Sequence, residues 1–368
     1  MYLQKLSITN FKNYGEATLQ FSDKINCFIG DNGAGKTNLL DAIHYLSFCK
    51  SYFNPVDTQN IRHSENFFSI HGTYLKNGDS PDVVSCIQKT DHRKLFKINQ
   101  KEYERLADHI GLYPLVMVSP YDRDLINEGS DVRRRYLDGV ISQFDKPYLD
   151  NLINYNKALA QRNALLKHFS DTRSFNPAML EIWDRQLTEY GQKIHTKRSE
   201  FLKDFIPIFQ RYFDFISEGK ETVAIQYISQ LFERDLDQLL AVSVDRDRQA
   251  KFTTQGIHKD DLELLISGYP LKKFGSQGQQ KSFVVAVKLA QFDYTRGIKG
   301  FKPVLLFDDI FDKLDEKRVH QIIRLVSEHS FGQVFITDTQ RSRIERLFEE
   351  VDIDHKIFNI SEGKVEQL

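Results

Sequence analysis

A glycine-rich stretch near the start of the chain has the residue types that hold a polyphosphate. The pattern G-x-x-x-x-G-K-[ST] is matched at every fixed position by Gly30-Asp31-Asn32-Gly33-Ala34-Gly35-Lys36-Thr37. Glycines let the backbone wrap closely and point its N–H groups at phosphate oxygens, and the N-terminus of a following helix adds a favourable dipole. Lys36 would reach the β- and γ-phosphates, and the Thr37 hydroxyl would bind Mg²⁺. This stretch, the glycine-rich loop, therefore predicts a nucleotide site rather than a turn that binds nothing.

Two consecutive carboxylates end an apolar strand much later in the chain. The stretch 303–309 reads PVLLFDD, so Asp308 and Asp309 stand at the end of that strand. Asp308 is expected to hold Mg²⁺ through water, opposite Thr37. Asp309 stands where many ATPases place a glutamate that polarises the attacking water, and it is shorter by one methylene, so we predict slow hydrolysis. The alternative is that both carboxylates only cap the following turn.

Strands and helices occur in the order that would position these groups. A strand, Ile25–Ile29, leads into the glycine-rich loop, and a helix with apolar residues at helical spacing follows it. A helix over about 316–328 and a strand over 333–337 continue a β-α-β alternation. That alternation implies a parallel sheet with the loop at the carboxyl ends of its strands. Alternating stretches within residues 1–21 and 67–118 predict antiparallel strands beside it.

The middle of the chain has a helical pattern instead. From about Asp122 to Leu240 glycines are few and amphipathic stretches are long, yet the heptads are too broken for a long coiled coil. We predict a compact helical arm inserted into the nucleotide domain. The mixed-charge stretch 245–248 is predicted to be a solvated loop.

Composition argues against a uniformly basic nucleic-acid-binding protein, a disulfide-rich or zinc-binding protein and a membrane-spanning protein. Fifty Lys and Arg against fifty-one Asp and Glu leave a net charge of −1, so a nucleic-acid surface would have to be a local patch. The three cysteines have no C-x-x-C spacing, which favours reduced, buried thiols over a disulfide framework or a zinc site. No apolar stretch approaches the length of a membrane span. We therefore expect a soluble, cytoplasmic protein with no membrane partner.

The tetrapeptide Ser276-Gln277-Gly278-Gln279 resembles the S-G-G-Q signature of ATP-binding-cassette (ABC) ATPases. It lies between the glycine-rich loop and the carboxylate strand, directly before a predicted helix, where N–H groups and a hydroxyl can meet a phosphate. The resemblance implies that Ser276, Gly278 and Gln279 contact the γ-phosphate bound to a second copy, so that ATP would join a homodimer. It also implies that Asp315, in the stretch 312–315, lies at the dimer seam. Where transporters carry a switch histidine, this chain has Thr337-Asp338-Thr339.

The chain as a whole resembles the RecF family of bacterial recombination mediators, which are related to the heads of SMC and Rad50 proteins. The stretches that carry this resemblance are the glycine-rich loop and residues 6–14, 118–139, 256–262, 274–289 and 305–315. It implies an α/β fold: a P-loop ABC-type ATPase head with an antiparallel β subdomain and an inserted α-helical arm. We place the ATPase domain at residues 1–118 and 256–368 and the arm at 119–255.

The same resemblance implies the function. RecF proteins bind DNA in an ATP-dependent way, dimerise on ATP and work with RecR and RecO to load the recombinase at gapped DNA. Weak, DNA-dependent ATP hydrolysis would accompany a function that is mainly DNA binding at gapped duplex or single/double-strand junctions. The alternatives are an SMC-like structural clamp, the ATPase subunit of a transporter, and a P-loop kinase, which would leave the signature-like tetrapeptide unexplained.

Contacts to DNA are predicted from basic residues. Arg133, Arg134 and Arg135 begin a helix, where at most two could face a duplex; the alternative is that they pair with neighbouring carboxylates, namely Asp122, Asp124, Glu128 or Asp138. Further basic residues are predicted to be mostly solvated, with a subset that could follow phosphates: Lys157, Arg162, Lys167, Arg173, Lys193, Lys197 and Arg198. His258 lacks metal-ligand spacing, so a structural role is expected. Adenine contacts are expected near residues 12–14.

Overall fold

The chain forms two compact units. The structure, a computed structural model, describes residues 1–76, 80–310, 316–327, 331–342 and 353–368. The first unit comprises Met1–Asp122, Tyr212–Gly219 and Gln277–Leu368, and the second comprises Arg123–Arg211 and Lys220–Ser276. Residues 256–276, predicted from the sequence to belong to the ATPase domain, lie in the second unit. The division into an ATPase domain and an arm stays a prediction.

A mixed, mainly parallel sheet lies in the first unit. Its strands, in spatial order, are β15 (Lys364–Gln367), β14 (His355–Ser361), β3 (Ile25–Ile29), β13 (Val334–Asp338), β12 (Val304–Phe307) and β8 (Leu115–Val118). Every pair is parallel except β14 with β15. All five residues of β3 are buried, as expected for a central strand covered on both faces. The predicted parallel sheet is confirmed.

An antiparallel sheet in the same unit confirms the second sheet prediction. In spatial order its strands are β2 (Tyr14–Gln20), β1 (Tyr2–Phe11), β4 (Phe67–Leu75), β5 (Asp82–Lys89), β6 (Leu95–Ile98) and β7 (Lys101–Glu102). Helix α1 (Lys36–Phe48) shares one apolar core with both sheets, and its Leu39, Ile43 and Leu46 are fully buried. The buried amide of Gln333 also joins the sheets, because it accepts from Leu3 N–H and donates to Leu3 O at 2.8 and 2.7 Å.

The second unit is mostly helical. Its helices are α2 (Asp124–Asn127), α3 (Ser130–Ser142), α4 (Lys146–Thr172), α5 (Ala178–Ser217, which ends in the first unit), α6 (Leu236–Ala250) and α7 (Leu271–Phe274). A small antiparallel sheet accompanies them, in the order β11 (Tyr269–Pro270), β10 (Asp261–Ile266) and β9 (Val223–Ile228). The prediction of an all-helical segment from about Asp122 to Leu240 is wrong at β9, because that strand is stabilised by pairing with the distant β10. Two further helices lie in the first unit, α8 (Gln277–Lys299) and α9 (Glu316–Ser327).

Two arginines predicted to be solvated are instead buried in the second unit. Arg162 is fully buried and pairs with Asp184 and with Asp247 of α6, at 2.5 and 2.6 Å. Arg198 pairs with Asp138 and Asp260, at 2.8 and 2.9 Å. The predicted loop at 245–248 is therefore also wrong, since those residues are helical and Asp247 is 0% exposed. Long-range ion pairs bring an opposite charge to each of these buried groups.

Candidate nucleotide-binding site

Two glycines of the loop have no room for a side chain. A Cβ at Gly30, whose φ is +153°, would lie 2.2 Å from the carbonyl oxygen of Ile360 in β14. At Gly35, with φ +120°, a Cβ would lie 2.5 Å from Asn13 Nδ2 and 2.9 Å from the Tyr14 hydroxyl. Helix α1 begins at the next residue. The glycines thus let the chain turn tightly between β3 and α1, as the pattern predicts.

The turn between β1 and β2 supports the loop from one side. Asn13 Nδ2 donates to Ala34 O at 2.9 Å, and the Tyr14 hydroxyl donates to Gly35 O at 3.0 Å. Because the C=O and N–H of one peptide point in opposite directions, these bonds turn the next two N–H groups away from the turn. The expected proximity of residues 12–14 to the loop is confirmed, while a contact with adenine remains a prediction. Lys12 pairs with Asp41 of α1 at 2.6 Å.

Lys36 is buried inside the loop that it follows. Its ammonium donates to Gly30 O at 2.8 Å and to Asp31 O at 3.0 Å. An ammonium group carries three N–H donors, so one remains for an anion within the loop. The lysine therefore holds the loop closed on itself and presents positive charge where the phosphates of a nucleotide would lie.

Asp308 lies beside Thr37 at the carboxyl end of β12. The hydroxyls of Thr37 and Thr337 both donate to Asp308 Oδ1, each at 2.9 Å. Burial raises the pKa of Asp308 to about 6; the two hydroxyls and Lys36 oppose this rise, and the neighbouring Asp309 adds to it. A buried carboxylate with this raised pKa is one whose charge a cation would stabilise.

This donor set fits Mg²⁺. The ion prefers oxygen ligands and is usually bound by one or two protein groups together with water and phosphate oxygens. The Thr37 hydroxyl and the Asp308 carboxylate are such groups. The described part of the chain contains no group of three or more His, Cys, Asp or Glu that could form an all-protein metal site. Thr37 and Asp308 would hold Mg²⁺ together with the phosphates of a nucleotide.

Asp309 has an unusual backbone conformation. Its φ is +44°, in the left-handed region that residues other than glycine rarely occupy. Its N–H donates to the Thr337 hydroxyl at 2.9 Å. The side chain follows Asp308 directly, as the sequence predicts, and is half-buried.

The signature-like tetrapeptide begins helix α8. Ser276 and Gln277 are exposed, whereas Gly278 and Gln279 are half-buried in the first turn. Arg318 of α9 donates to Gly278 O at 3.1 Å and also to the Ser282 hydroxyl. Contact of Ser276, Gly278 and Gln279 with a second copy remains a prediction. Asp315, the predicted seam residue, lies outside the described residues.

The arginine triplet of α3 has carboxylate and carbonyl partners within the second unit. Arg133 makes a two-bond pair with Asp261, at 2.6 and 3.0 Å, and Arg134 donates to Asp260 O at 2.6 Å. Arg135 pairs with Asp131 and keeps 74% of its side chain exposed. None of these partners is a carboxylate named from the sequence: Asp260 and Asp261 are distant in the chain, and Asp131 lies four residues before Arg135 on the same helix. DNA contact remains a prediction for the triplet, and Arg135 is its most accessible member.

His258 holds two segments of the second unit together. One ring nitrogen, Nε2, bonds Thr253 O at 3.0 Å, and Nδ1 lies 2.8 Å from the Tyr155 hydroxyl. A carbonyl can only accept, so Nε2 carries the proton and Nδ1 accepts from Tyr155. Burial lowers the pKa of His258 to about 4, which keeps the ring neutral. These bonds agree with the expected structural role.

Comparison with known proteins decides the family. The sequence model of the RecF/RecN/SMC N terminal domain matches residues 2–362. The DNA replication and repair protein RecF of Flavobacterium johnsoniae is 51% identical over 360 residues, which cover 98% of this chain and 100% of that protein. The chain belongs to the RecF family. RecF of Phocaeicola vulgatus is similar too, at 50% identity over 99% of this chain and 98% of its own length.

Solved structures support the same assignment. A RecF structure described as the recombination mediator with ATP in the RecFOR pathway has a TM-score of 0.90 and 30% identity, covering 100% of this chain and 97% of that one. A second, described as RecF-ATPrS, has a TM-score of 0.89 and 31% identity, covering 100% and 98%. The Smc head domain of Pyrococcus furiosus, at 18% identity and a TM-score of 0.59, shares the fold. No described helix of this RecF-family chain meets the length and apolarity that crossing a bilayer requires.

Sequence reasoning missed Thr337 as a residue of this RecF-family site. The sequence singles out this threonine only as part of a segment that lacks a histidine, yet its hydroxyl contacts both Asp308 and Asp309. A signal was present, because the carboxyl ends of adjacent parallel strands meet at one edge of a sheet. A hydroxyl residue at the end of β13 therefore had to lie close to the carboxylates that end β12.

Proposed function

We propose that this protein is an ATP-dependent DNA-binding protein of recombinational repair and replication maintenance. Two copies join on DNA when each binds ATP, and slow hydrolysis releases them. Acting in the cytoplasm with RecO and RecR, the dimer helps to load recombinase at gapped DNA. The family assignment supports this proposal, as do the RecF structures described with ATP in the RecFOR pathway.

The ATP dependence in this proposal rests on one observation: Lys36, Thr37 and Asp308 lie together at one edge of the parallel sheet. Lys36 and Thr37 start α1, and Asp308 ends β12, yet the Thr37 hydroxyl donates to Asp308 Oδ1 at 2.9 Å. A phosphate-binding loop and an acidic residue placed in this way are the two parts that a Mg²⁺-nucleotide site needs. The described residues thus contain a phosphate cradle and a carboxylate beside it.

In this proposal each residue of the candidate site has its own role in ATP hydrolysis. When bound, Mg²⁺ would neutralise charge on the β- and γ-phosphates of ATP. Lys36 donates to the phosphates, and Thr37 with Asp308 holds the metal. Asp309 orients the attacking water, and its short side chain makes hydrolysis slow. Ser276, Gly278, Gln279 and Asp315 complete the far side of the γ-phosphate from the second copy.

DNA is held through its phosphates. The net charge of −1 excludes a strong overall attraction, so binding depends on a local set of basic residues and falls steeply with salt. Arg135, exposed on α3, is the strongest candidate of the arginine triplet. Its contact would position the duplex without reading its sequence.

Sedimentation velocity with and without ATP and a gapped duplex tests the proposal. Wild type should dimerise on DNA only with ATP. Lys36→Ala should lose nucleotide binding, and Ser276→Arg should keep nucleotide but remain monomeric. Ser80→Arg, which adds the same side chain at an exposed loop of the antiparallel sheet, is the matched control. If Ser276→Arg still dimerised with ATP, the proposed contact of Ser276 with the second copy would be wrong. If the wild-type protein did not bind the gapped duplex, the proposed DNA-binding function would be wrong.

A further inference from the structure

We propose that Thr337 is a positioning residue for ATP hydrolysis, which fixes Asp308 and Asp309 relative to each other. The proposal rests on the ATPase activity proposed above and deepens it. Thr337 is fully buried in β13, next to β12 in the parallel sheet. Its hydroxyl makes two bonds at once: it donates to Asp308 Oδ1 and accepts from the Asp309 N–H, both at 2.9 Å.

These two bonds determine where the hydroxyl proton lies. Because the oxygen of Thr337 accepts from a backbone N–H, its own proton is directed at Asp308. Thr37 donates to the same oxygen, Oδ1, so both hydroxyls bind one side of the carboxylate. Within the described residues neither threonine uses Oδ2. The carboxylate is therefore held in one orientation, with Oδ2 free to face a cation or its water.

The second bond supports the unusual backbone of Asp309. At φ +44° an aspartate is strained, and such a conformation persists only where its surroundings hold it in place. The bond from its N–H to Thr337 is one such restraint. Without the hydroxyl, Asp309 would relax towards ordinary backbone angles and its side chain would swing away from its present direction. Thr337 thus acts on the water-orienting group through the backbone rather than by touching a substrate.

Thr337 lies in the segment where transporters of the ABC class carry a histidine. The segment 337–339 ends β13 and contains no histidine. From this strand the Thr337 hydroxyl reaches the Asp308 carboxylate and the backbone N–H of Asp309. A hydroxyl both donates and accepts whatever the pH near neutrality, so it can hold the two acids in register throughout the cycle.

Three variants test the proposal. Thr337→Val keeps the shape but removes both bonds, and Thr337→Ser keeps the hydroxyl. Thr339→Val makes the first change at an exposed position of the same segment. We expect Thr337→Val to lower kcat roughly 10- to 100-fold, the usual effect of misplacing a catalytic group by about 1 Å. Its KM for ATP should change less than about threefold, whereas Thr337→Ser and Thr339→Val should stay within about threefold of wild type in both constants.

A second measurement does not depend on turnover. Binding of a fluorescent ATP analogue is titrated at increasing Mg²⁺, and Thr337→Val should need roughly tenfold more Mg²⁺ for half-maximal binding, with Thr337→Ser restoring the wild-type value. Should Thr337→Val fail to fold, Thr337→Ala must show the same pattern. Wild-type kcat and Mg²⁺ dependence in Thr337→Val would overturn the proposal, as would equal losses in Thr337→Ser. If wild type itself hydrolysed no ATP, the ATPase proposal would fail and the Mg²⁺ titration alone would decide the role of Thr337.

Discussion

Replacing Asp308 by asparagine should stabilise the nucleotide-free protein while it abolishes Mg²⁺-dependent function. Asparagine can still accept both threonine bonds through its amide oxygen, and it carries no charge to bury. In the folded protein the pKa of Asp308 rises from 3.8 to about 6, mainly through burial. That difference of roughly 2 pKa units corresponds to about 3 kcal/mol.

The direction of the pH dependence of stability follows from proton binding by Asp308 in the folded and unfolded states. A carboxyl whose pKa is raised by folding holds its proton more tightly in the folded state, so its contribution favours folding below pH 3.8 and is lost as pH rises through 6. Above pH 6 the folded protein carries a buried charge that the unfolded chain would leave in water. Asp308→Asn removes this penalty, so the gain in the free energy of unfolding should approach about 3 kcal/mol at pH 8 and shrink towards acid pH.

Thermal unfolding in EDTA between pH 5 and 8 measures this effect. For a unit of this size, a gain of about 3 kcal/mol raises Tm by roughly 6–12 °C. Asp23→Asn, at an exposed carboxylate beside Lys24, is the control and should change the free energy of unfolding by less than about 0.5 kcal/mol. An Asp308→Asn protein that melts below wild type at pH 8, or a gain that does not fall with pH, would refute the reasoning. The same variant should lose Mg²⁺-dependent nucleotide binding.

Three other predictions concern the loop and the second unit. Gly35→Ala should lose binding of a fluorescent ATP analogue, because its Cβ would lie 2.5 Å from Asn13 Nδ2 at φ +120°. Arg198→Met should lower the free energy of unfolding in urea by about 3–5 kcal/mol, since it leaves two carboxylates without their partner. Arg135→Ala should make DNA binding less dependent on salt: the slope of log binding constant against log salt concentration should become smaller in magnitude by about one, with no change in Tm. Arg133→Ala, which removes a pair with Asp261, should lower Tm.

Controls and contrary results for these three differ. Lys193→Met removes an exposed pair with Glu189 and should lower the free energy of unfolding by less than about 0.5 kcal/mol. If Arg198→Met lowered it by no more than this, burial of the Arg198 ion pairs would not matter for stability. Unchanged nucleotide affinity in Gly35→Ala would mean that the loop can move aside from Asn13. A salt slope unaffected by Arg135→Ala would place the DNA contact elsewhere.

The geometry of the candidate nucleotide site was predictable because its sequence signals are local. Strand β3 has the predicted bounds, and the loop and α1 follow it in the predicted order. Apolar periodicity and glycine spacing are properties of a few neighbouring residues, and they survive whatever the rest of the chain does. The carboxylates at the end of β12 were found for the same reason.

Most of the errors involve partners that are distant in the chain. Arg162 and Asp247 look like solvated charges in their own segments, yet each is the reason the other can be buried. Strand β9 has its pairing partner beyond α6, so its own sequence carries only half of the signal. Thr337 belongs to the same class, because its function depends on which strand lies next to it.

The position of β3 in its sheet has a consequence for how the protein is made. It lies between β13 and β14, whose residues 334–338 and 355–361 are synthesised roughly 300 residues later. At about 5–20 residues per second, the strand that carries the loop waits roughly 15–60 seconds on the ribosome before either neighbour exists. During that time both of its hydrogen-bonding edges are open to pairing with other chains. We therefore expect nascent chains to depend on chaperones until β14 emerges.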